Sequence, residues 1–160
     1  MILARTHQRK NNELGGTNSM KVLIRLTVFF LILTSTLSIA GIARAEWNGI
    51  VPYKTTKAEV LSKLGEPSYD SGLVMIYDKD KAPADTKGAA IYVVNGIVTM
   101  VRVIPSRDLS EGDISGTFGK PATVSFRNPD VEEQVFNSPT GKVVVMFTKQ
   151  NKKAIRIDYF

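Results

Sequence analysis

The 160-residue sequence contains no cysteine, and its only histidine is His7. Without cysteine the chain has no disulfide framework, no thiolate nucleophile, no cysteine ligand for a metal and no cysteine for lipid attachment. Without another histidine, the residues after His7 have no imidazole for general base catalysis or metal binding. These absences exclude Ser-His-Asp and Cys-His catalysis, and we predict a protein without a metal or a cofactor.

A run without a single charged residue spans positions 26–42. Two basic residues precede it, and Ala43 and Ala45 follow it. A short basic segment, an apolar segment and a pair of small residues at A-x-A spacing are the three parts of a secretory signal peptide. The pattern therefore predicts a signal peptide at residues 20–45 that is cleaved after Ala45.

The same run leaves an uncleaved membrane anchor open as an alternative. A membrane-spanning helix needs roughly 20 mostly apolar residues, whereas this run has 17, five of them Ser or Thr. Extension to residues 22–42 would bring it close to the required length. Residues 1–19 are polar and show no periodicity, so we interpret them as a gene-model extension before a true start at Met20, or as a disordered segment.

Charge is nearly balanced once the leader is removed. The whole chain has 21 Lys and Arg against 15 Asp and Glu, a net charge of +6. Six of the basic residues and one acidic residue lie in residues 1–45, which leaves 15 basic and 14 acidic residues in residues 46–160. Nucleic-acid binding relies on a basic surface that neutralises phosphates, so this balance predicts no nucleic-acid partner. A length of 115 residues predicts a single domain at 46–160.

Two segments that lie 54 residues apart, 56–67 and 110–121, share one pattern of roles. Each begins with Ser or Thr, has an acid three residues later as in a capping box, and closes with Gly and then Pro. The pattern predicts short helices at 56–64 and 110–118, each followed by a glycine in the left-handed conformation, Gly65 and Gly119. Helices this short are unstable alone and must pack on another layer.

Alternating apolar segments follow each helix and predict three strands in each half. These segments are 73–77, 89–94 and 97–104, then 134–136, 142–148 and 154–159. Asn95-Gly96 is a strong signal for a two-residue hairpin turn. We therefore predict an α+β fold of two tandem helix-plus-antiparallel-sheet repeats, 47–105 and 106–160. The repeats would join edge to edge in one sheet with both short helices on one face.

Alternation along the last strand of each half separates a core side from an open side. It places four residues toward the core, Val101, Val103, Ile155 and Ile157, and three on the open side, Arg102, Arg156 and Asp158. At the 54-residue offset the two arginines are equivalent, and arginine is enriched in protein interfaces. We take these three residues as candidates for protein binding. The alternative is a solvated sheet surface whose ion pairs contribute little.

Trp47 and Tyr53 are further candidates for protein binding. Large aromatic side chains supply many of the residues that dominate binding energy at interfaces. The alternative is a packing role, and for Trp47 that role would be to close one end of the core.

The segment Trp47-Asn48-Gly49-Ile50-Val51-Pro52 resembles the opening of a group of secreted bacterial proteins with a Trp-x-Gly-Ile-Val-Pro motif. The helix motif that follows is similar, more distantly, to the beta-lactamase-inhibitor-like repeat shared with small outer-membrane assembly lipoproteins. This resemblance implies a tandem repeat whose open, curved sheet face binds another protein. The lipoproteins carry a lipidated cysteine and the secreted inhibitors carry disulfides, both absent here, so neither activity is transferred.

Together these features predict an exported, non-catalytic protein-binding module of the bacterial cell envelope or extracellular space. After cleavage the chain would be periplasmic or secreted, without a membrane span and with an unknown protein partner. A structural component of an envelope assembly is one alternative. A hydrolase that relies only on carboxylates and lysine is another.

Overall fold

The computed structural model describes residues 44–160, which belong to one compact unit. The polar residues 1–19, the apolar run and Ala43 lie outside the described residues, so the signal peptide and its anchor alternative stay predictions. Within residues 44–160, neither helix has the length and apolar character that a membrane crossing requires.

Two helices of eight residues each are present, α1 (Lys57–Leu64) and α2 (Glu111–Phe118). Both begin with the predicted capping box. The Thr56 hydroxyl accepts a hydrogen bond from the Glu59 N–H, while the Glu59 carboxylate accepts one from the Thr56 N–H at 2.7 Å. Ser110 and Asp113 repeat this arrangement before α2. The helix positions are therefore set by local side-chain hydrogen bonds that satisfy the free N–H groups of the first turn.

Gly65 and Gly119 end the two helices with positive φ values of 76° and 82°. Their ψ values of −164° and −154° are extended rather than left-handed helical. The prediction was thus right about the sign of φ and wrong about ψ. Only glycine adopts this combination readily, because a side chain would clash with the backbone there.

Eight strands form one antiparallel sheet in the order β1-β2-β3-β4-β8-β7-β6-β5. The strands are β1 (Tyr69–Asp70), β2 (Val74–Asp78), β3 (Thr86–Val94), β4 (Ile97–Pro105), β5 (Thr123–Asn128), β6 (Val131–Ser138), β7 (Gly141–Thr148) and β8 (Ala154–Tyr159). The α+β architecture with one large antiparallel sheet is confirmed. The edge strands β1 and β5 were not predicted. Strand β1 has only two residues, the alternation of β5 includes only two apolar residues, and all residues of both strands are exposed.

The last strands of the two halves, β4 and β8, pair in the middle of the sheet. Arg102 lies opposite Asp158 in this pairing, flanked by the pairs Val101–Tyr159 and Val103–Ile157. The sheet then continues outward through β3 and β2 on one side and through β7 and β6 on the other. The hairpin at Asn95 and Gly96, with φ values of 51° and 77°, has the predicted turn geometry.

One hydrophobic core lies between the helices and the sheet. Each helix contributes one buried residue to it, Val60 from α1 and Ile114 from α2. The other members come from strands of both halves, among them Met75, Tyr77, Ile91, Val101, Val103, Phe136, Val145, Ile157 and Tyr159. Because both helices bury residues in the same cluster, they cover the same face of the sheet, and we call the opposite face the open face.

Three β-bulges reorient side chains near the middle of the sheet, with the extra residues Ile155 in β8, Lys87 in β3 and Thr99 in β4. In β8, Arg156 pairs with Met146 and Ala154 pairs with Phe147, so Ile155 is an extra residue. The prediction that Ile155 faces the core was wrong, because the bulge interrupts the alternation and leaves this side chain 40% exposed. Lys87 is the corresponding extra residue in β3, between Thr86 and Gly88.

Candidate functional site

The centre of the open face is occupied by a salt bridge between the two middle strands. The Arg102 guanidinium donates two hydrogen bonds to the Asp158 carboxylate, Nε to Oδ1 at 2.9 Å and a terminal nitrogen to Oδ2 at 3.1 Å. This hydrogen bonding is the main reason that the pKa of Arg102 lies above its usual value. Two parallel bonds fix the plane of the guanidinium as well as its position.

Arg156 approaches the same carboxylate from the neighbouring position on β8. Its Nε lies 3.1 Å from the Oδ2 of Asp158, but it makes no hydrogen bond to any described residue. Charge therefore holds Arg156 near Asp158 without an aligned bond. Two guanidinium groups share one carboxylate, so the cluster has a net positive charge. The carboxylate is buried, with 4% exposure, whereas the arginine side chains are 32% and 24% exposed.

Tyr92 belongs to the same cluster, although its place inside a strand predicts a packing role rather than a binding role. Arg102 lies over its ring, 5.7 Å from the ring centroid, and a terminal nitrogen of Arg102 donates to its hydroxyl at 3.4 Å. The signal was present in the sequence, because Tyr92 lies between the core residues Ile91 and Val93 and alternation places it on the open face.

A pocket of about 270 Å³ opens beside Arg102 on the open face. Small residues of β3, Gly88 and Ala90, leave the space, and Ile76 and Ile104 supply apolar contact from the neighbouring strands. A Cβ atom added at Gly88 would lie only 3.0 Å from the carbonyl oxygen of Tyr77. The pocket therefore depends on glycine at this position.

A second pocket, of about 300 Å³, continues from the first over the ends of β4 and β8. Lys87 and Ile104 line both pockets, which are therefore adjacent, and we call the two together the groove. The second pocket adds Arg107 and Ile155, together with an ion pair between Lys153 and Asp108. Two of the three bulged residues of the central strands, Lys87 and Ile155, thus line the groove, whereas Thr99 does not. Bulges are common next to functional sites because they redirect side chains.

Trp47 does not join the arginine cluster. It opens a tight turn in which its backbone exchanges two hydrogen bonds with Ile50, at 3.1 and 2.9 Å. Asn48 and Gly49 occupy the turn with φ values of 50° and 70°, which only a few residue types tolerate. The Trp47 side chain packs against the hydrophobic core. The Trp-x-Gly-Ile motif is thus a turn that closes the core, on the side of the sheet away from Arg102.

Tyr53 lies in the loop between this turn and α1. Its side chain is 65% exposed, and its N–H donates a hydrogen bond to the Val98 carbonyl at 2.6 Å. Its φ of 62° is unusual for an aromatic residue. The structure therefore brings together Arg102, Arg156 and Asp158, and it leaves Trp47 and Tyr53 elsewhere.

A second polar cluster lies on the core side of β6, beneath α2. Gln134 and Glu132 are 1% and 4% exposed. The Gln134 amide nitrogen donates to Glu132 at 2.8 Å and to Glu111 of α2 at 2.6 Å, and Lys152 forms an ion pair with Glu132. The hydrogen bond from Gln134, followed by that from Lys152, holds the pKa of Glu132 below its usual value. No three His, Cys, Asp or Glu side chains within residues 44–160 are arranged to hold a metal ion.

The fold is similar to that of one solved structure. This is the crystal structure of a DUF4309 family protein, YjgB, from Bacillus subtilis subsp. subtilis strain 168, with a TM-score of 0.52. The two chains are 13% identical, and the similarity covers 69% of this chain and 80% of that one. At this identity the similarity indicates a shared fold and no more. No protein-family model and no curated protein sequence matches the chain.

Proposed function

We propose that this chain is an exported, non-catalytic module that binds another protein through the open face of its sheet. The observation that carries this proposal is the cluster of Arg102, Arg156 and Asp158 at the centre of a face that neither helix covers. Export is supported by the sequence pattern of residues 20–45, and it would place the module in the periplasm or outside the cell.

The cluster suits rigid recognition. Asp158 already fixes Arg102 through two hydrogen bonds, so a partner would not have to order this long side chain. Immobilising a flexible side chain on binding costs about 0.5–1.5 kcal/mol. Arginine is also enriched among the residues that dominate interface energies. A pre-ordered, partly exposed arginine beside an aromatic ring is therefore a suitable anchor for a partner.

We also infer that the two halves are tandem repeats related by a local two-fold axis between Arg102 and Asp158. The central row of the open face supports this, because each half contributes three paired residues to it. They are Ile76, Ala90 and Arg102 from the first half, and Val135, Val144 and Asp158 from the second. In this arrangement Asp158, two residues beyond Arg156, is the counterpart of Arg102.

Photocrosslinking in the living bacterium tests the binding proposal. A photoreactive residue would replace Ile104, which is exposed on the open face, and in a control protein it would replace Ser62, which is exposed on α1. We expect one stoichiometric protein adduct at position 104, none at position 62, and loss of the adduct in an Arg102→Glu background. Adducts of equal yield at both positions, or none at either, would contradict binding through this face.

The same experiment separates the alternatives. A structural component of an envelope assembly would give adducts with several neighbours that persist in every growth state. A hydrolase would give no stoichiometric adduct. In a separate activity assay it would show a turnover that is lost on substitution of a carboxylate.

A further inference from the structure

We propose that the groove beside Arg102 binds an extended, acidic segment of a partner protein and receives one of its aliphatic side chains. This inference rests on the proposed protein-binding function and names the chemistry of the partner. It is carried by the shape of the groove, by its unpaired positive charge and by the two bulges that line it.

The charge of the groove favours an acidic occupant. Arg102 is paired with Asp158, and Lys153 with Asp108. Lys87 and Arg107 form no ion pair with any residue between 44 and 160. Within this part of the chain, neither of these exposed cations has a carboxylate within ion-pair distance, although Arg107 helps to lower the pKa of Asp113. Asp78 also lines the recess, so the charged lining of the groove has four cations against two carboxylates, Asp78 and Asp108. Complementary charges of a ligand would speed association and suppress basic competitors.

The floor of the groove favours an aliphatic side chain. Gly88 and Ala90 leave a recess between Ile76 and Ile104, and its volume of about 270 Å³ is large enough for one branched side chain. Ile104 and Ile155 are 37% and 40% exposed, and they lie at the ends of the two central strands, β4 and β8. Exposed apolar side chains rimmed by charged ones are typical of protein-interaction sites. A segment with acids on either side of one Leu, Ile or Val would match both features.

Titration of the purified full-length chain with a labelled peptide tests this inference. The probe is the fluorescein-labelled peptide Asp-Glu-Leu-Glu-Asp, followed by fluorescence anisotropy and by amide chemical shifts. Two comparison peptides have the leucine replaced by serine or the acids replaced by lysine. We expect saturable binding of the first peptide, about tenfold weaker binding of the serine peptide, and none of the lysine peptide. The largest shifts should fall at Lys87, Gly88, Ile104 and Ile155.

Variants identify the residues responsible. Reversal of both rim charges, Lys87→Glu with Arg107→Glu, should weaken binding by tenfold or more, and Ala90→Leu should fill the recess and abolish it. Lys79→Glu, at an exposed lysine outside the groove, is the matched control and should bind as the natural chain does. Chemical shifts elsewhere, or equal binding by the charge-reversed chain, would overturn the inference. A partner that crosslinks at position 104 but still binds the charge-reversed chain would contradict recognition of an acidic segment by the groove, and it would leave the proposed protein-binding function unchanged.

A separate observation concerns the start of the mature chain, and we infer that the signal peptide is removed after Ala43 rather than after Ala45. Ala45 is completely buried and belongs to the hydrophobic core. Its N–H lies 2.9 Å from the Ser138 hydroxyl and 2.8 Å from the Thr140 hydroxyl, which accept it. Cleavage after Ala45 would remove this buried residue from the folded domain.

The residues before Arg44 offer a second cleavage pattern. Gly41 and Ala43 are small and two positions apart, which is the spacing that signal peptidase requires. Cleavage after Ala43 would leave Arg44, which is exposed, as the first residue and would keep Ala45 in place. This inference rests on export, which the same measurement also tests.

The intact mass of the protein recovered from the envelope or medium of its host decides the point. We expect the mass of residues 44–160. A mass that begins at Glu46 would overturn the inference and retain export, whereas an uncleaved chain confined to the cytoplasm would overturn both. As a second readout, a chain that begins at Glu46 should unfold at a lower urea concentration than one that begins at Arg44, because it lacks the buried alanine.

Discussion

Met75 in β2 and Gln134 in β6 lie at matching places in the two halves of the sheet but differ in chemistry. Met75 pairs through Ile91 to Val101, and Gln134 pairs through Val145 to Ile157. Both are fully buried. The Met75 side chain needs no hydrogen-bond partner, whereas the Gln134 amide does. Glu132 and Glu111 accept hydrogen bonds from the Gln134 amide nitrogen.

The next matching pair, Tyr77 and Phe136, differs in the same way. The Tyr77 hydroxyl donates a hydrogen bond to the carbonyl of Gly65 at the end of α1, and burial is the main reason that its pKa rises to about 12. Phe136 instead packs against Phe118 at the end of α2, with ring centroids 5.8 Å apart. Each half thus attaches its helix to the second strand, one by a hydrogen bond and the other by aromatic contact.

The comparison shows that matching places in the two halves can hold side chains of different chemistry, provided that neighbouring residues supply the contacts each side chain needs. A buried polar group is costly unless its hydrogen bonds are formed. In the second half Glu132 and Glu111 accept hydrogen bonds from the Gln134 amide nitrogen, and Lys152 pairs with Glu132, whereas the Gln134 Oε1 has no partner among the described residues. The stability of this half should therefore depend on polar partners and on pH, whereas that of the first half should depend mainly on packing.

The largest effect on stability is expected at the pairing of β4 with β8, which joins the two halves. Asp158→Asn removes the carboxylate that both Arg102 and Arg156 contact, and we expect a loss of about 3 kcal/mol in the free energy of unfolding. This is the lower end for a broken buried ion pair, because the arginines are partly exposed. Urea denaturation measures it. The control Asp108→Asn breaks an exposed pair with Lys153 and should cost less than about 1 kcal/mol. Equal losses in the two variants would contradict a special role of the join.

The next largest effect is expected at the buried Gln134 of the second half. Gln134→Met copies the residue of the first half, and we expect it to lower the free energy of unfolding by about 2 kcal/mol, because two carboxylates lose their donor. The double variant Gln134→Met with Glu132→Leu should lose less than the sum of the two single variants, since the buried charge is also removed. Denaturation of all four proteins gives the coupling energy. Strict additivity would show that the two residues do not act together.

The hydrogen bond of the first half should have a smaller effect. Tyr77→Phe copies the ring of Phe136 and removes the bond to Gly65, so we expect a loss of about 1 kcal/mol. Thermal unfolding measures the change. Tyr69→Phe makes the same substitution at an exposed tyrosine of β1 and should leave the midpoint unchanged. If both variants behave alike, the hydroxyl of Tyr77 does not hold the end of α1.

The smallest effect should appear in the pH dependence. The folded-state pKa of Glu132 lies below the ordinary value of 4.5, so this group stabilises the fold above that pH and loses its contribution as the pH falls through the folded pKa. Between pH 7 and pH 4 the natural chain should therefore lose more stability than Glu132→Gln does. Urea midpoints at the two pH values test this. The control Glu66→Gln, at an exposed carboxylate, should retain the full loss, and an unchanged loss in Glu132→Gln would contradict the assignment.

Local patterns predicted both helices because their caps lie within four residues of each other in the chain. Thr56 with Glu59, and Ser110 with Asp113, form the hydrogen bonds that their spacing indicates. The six inner strands were predicted from alternation for the same reason. Strand β5 was missed because its alternation includes only two apolar residues, Val124 and Phe126, and both are exposed at the edge of the sheet.

The candidate site was predicted only in part. Alternation placed Arg102, Arg156 and Asp158 on one face, and the structure brings them into contact. The groove could not be predicted, because Lys87 and Ile155 reach it through bulges that exist only once the strands are paired. Nor does the sequence around Gln134 indicate that it is buried, because its partner Glu111 comes from a distant helix.

The sequence by itself determined where the helices begin, which residues alternate, and which side-chain chemistries are absent. These properties depend on residues close together along the chain or on composition. Tertiary structure decided the pairing of β4 with β8, the placing of one carboxylate between two arginines, and the burial of Ala45. These depend on contacts between residues far apart in sequence, whose geometry is fixed only when the whole sheet has formed.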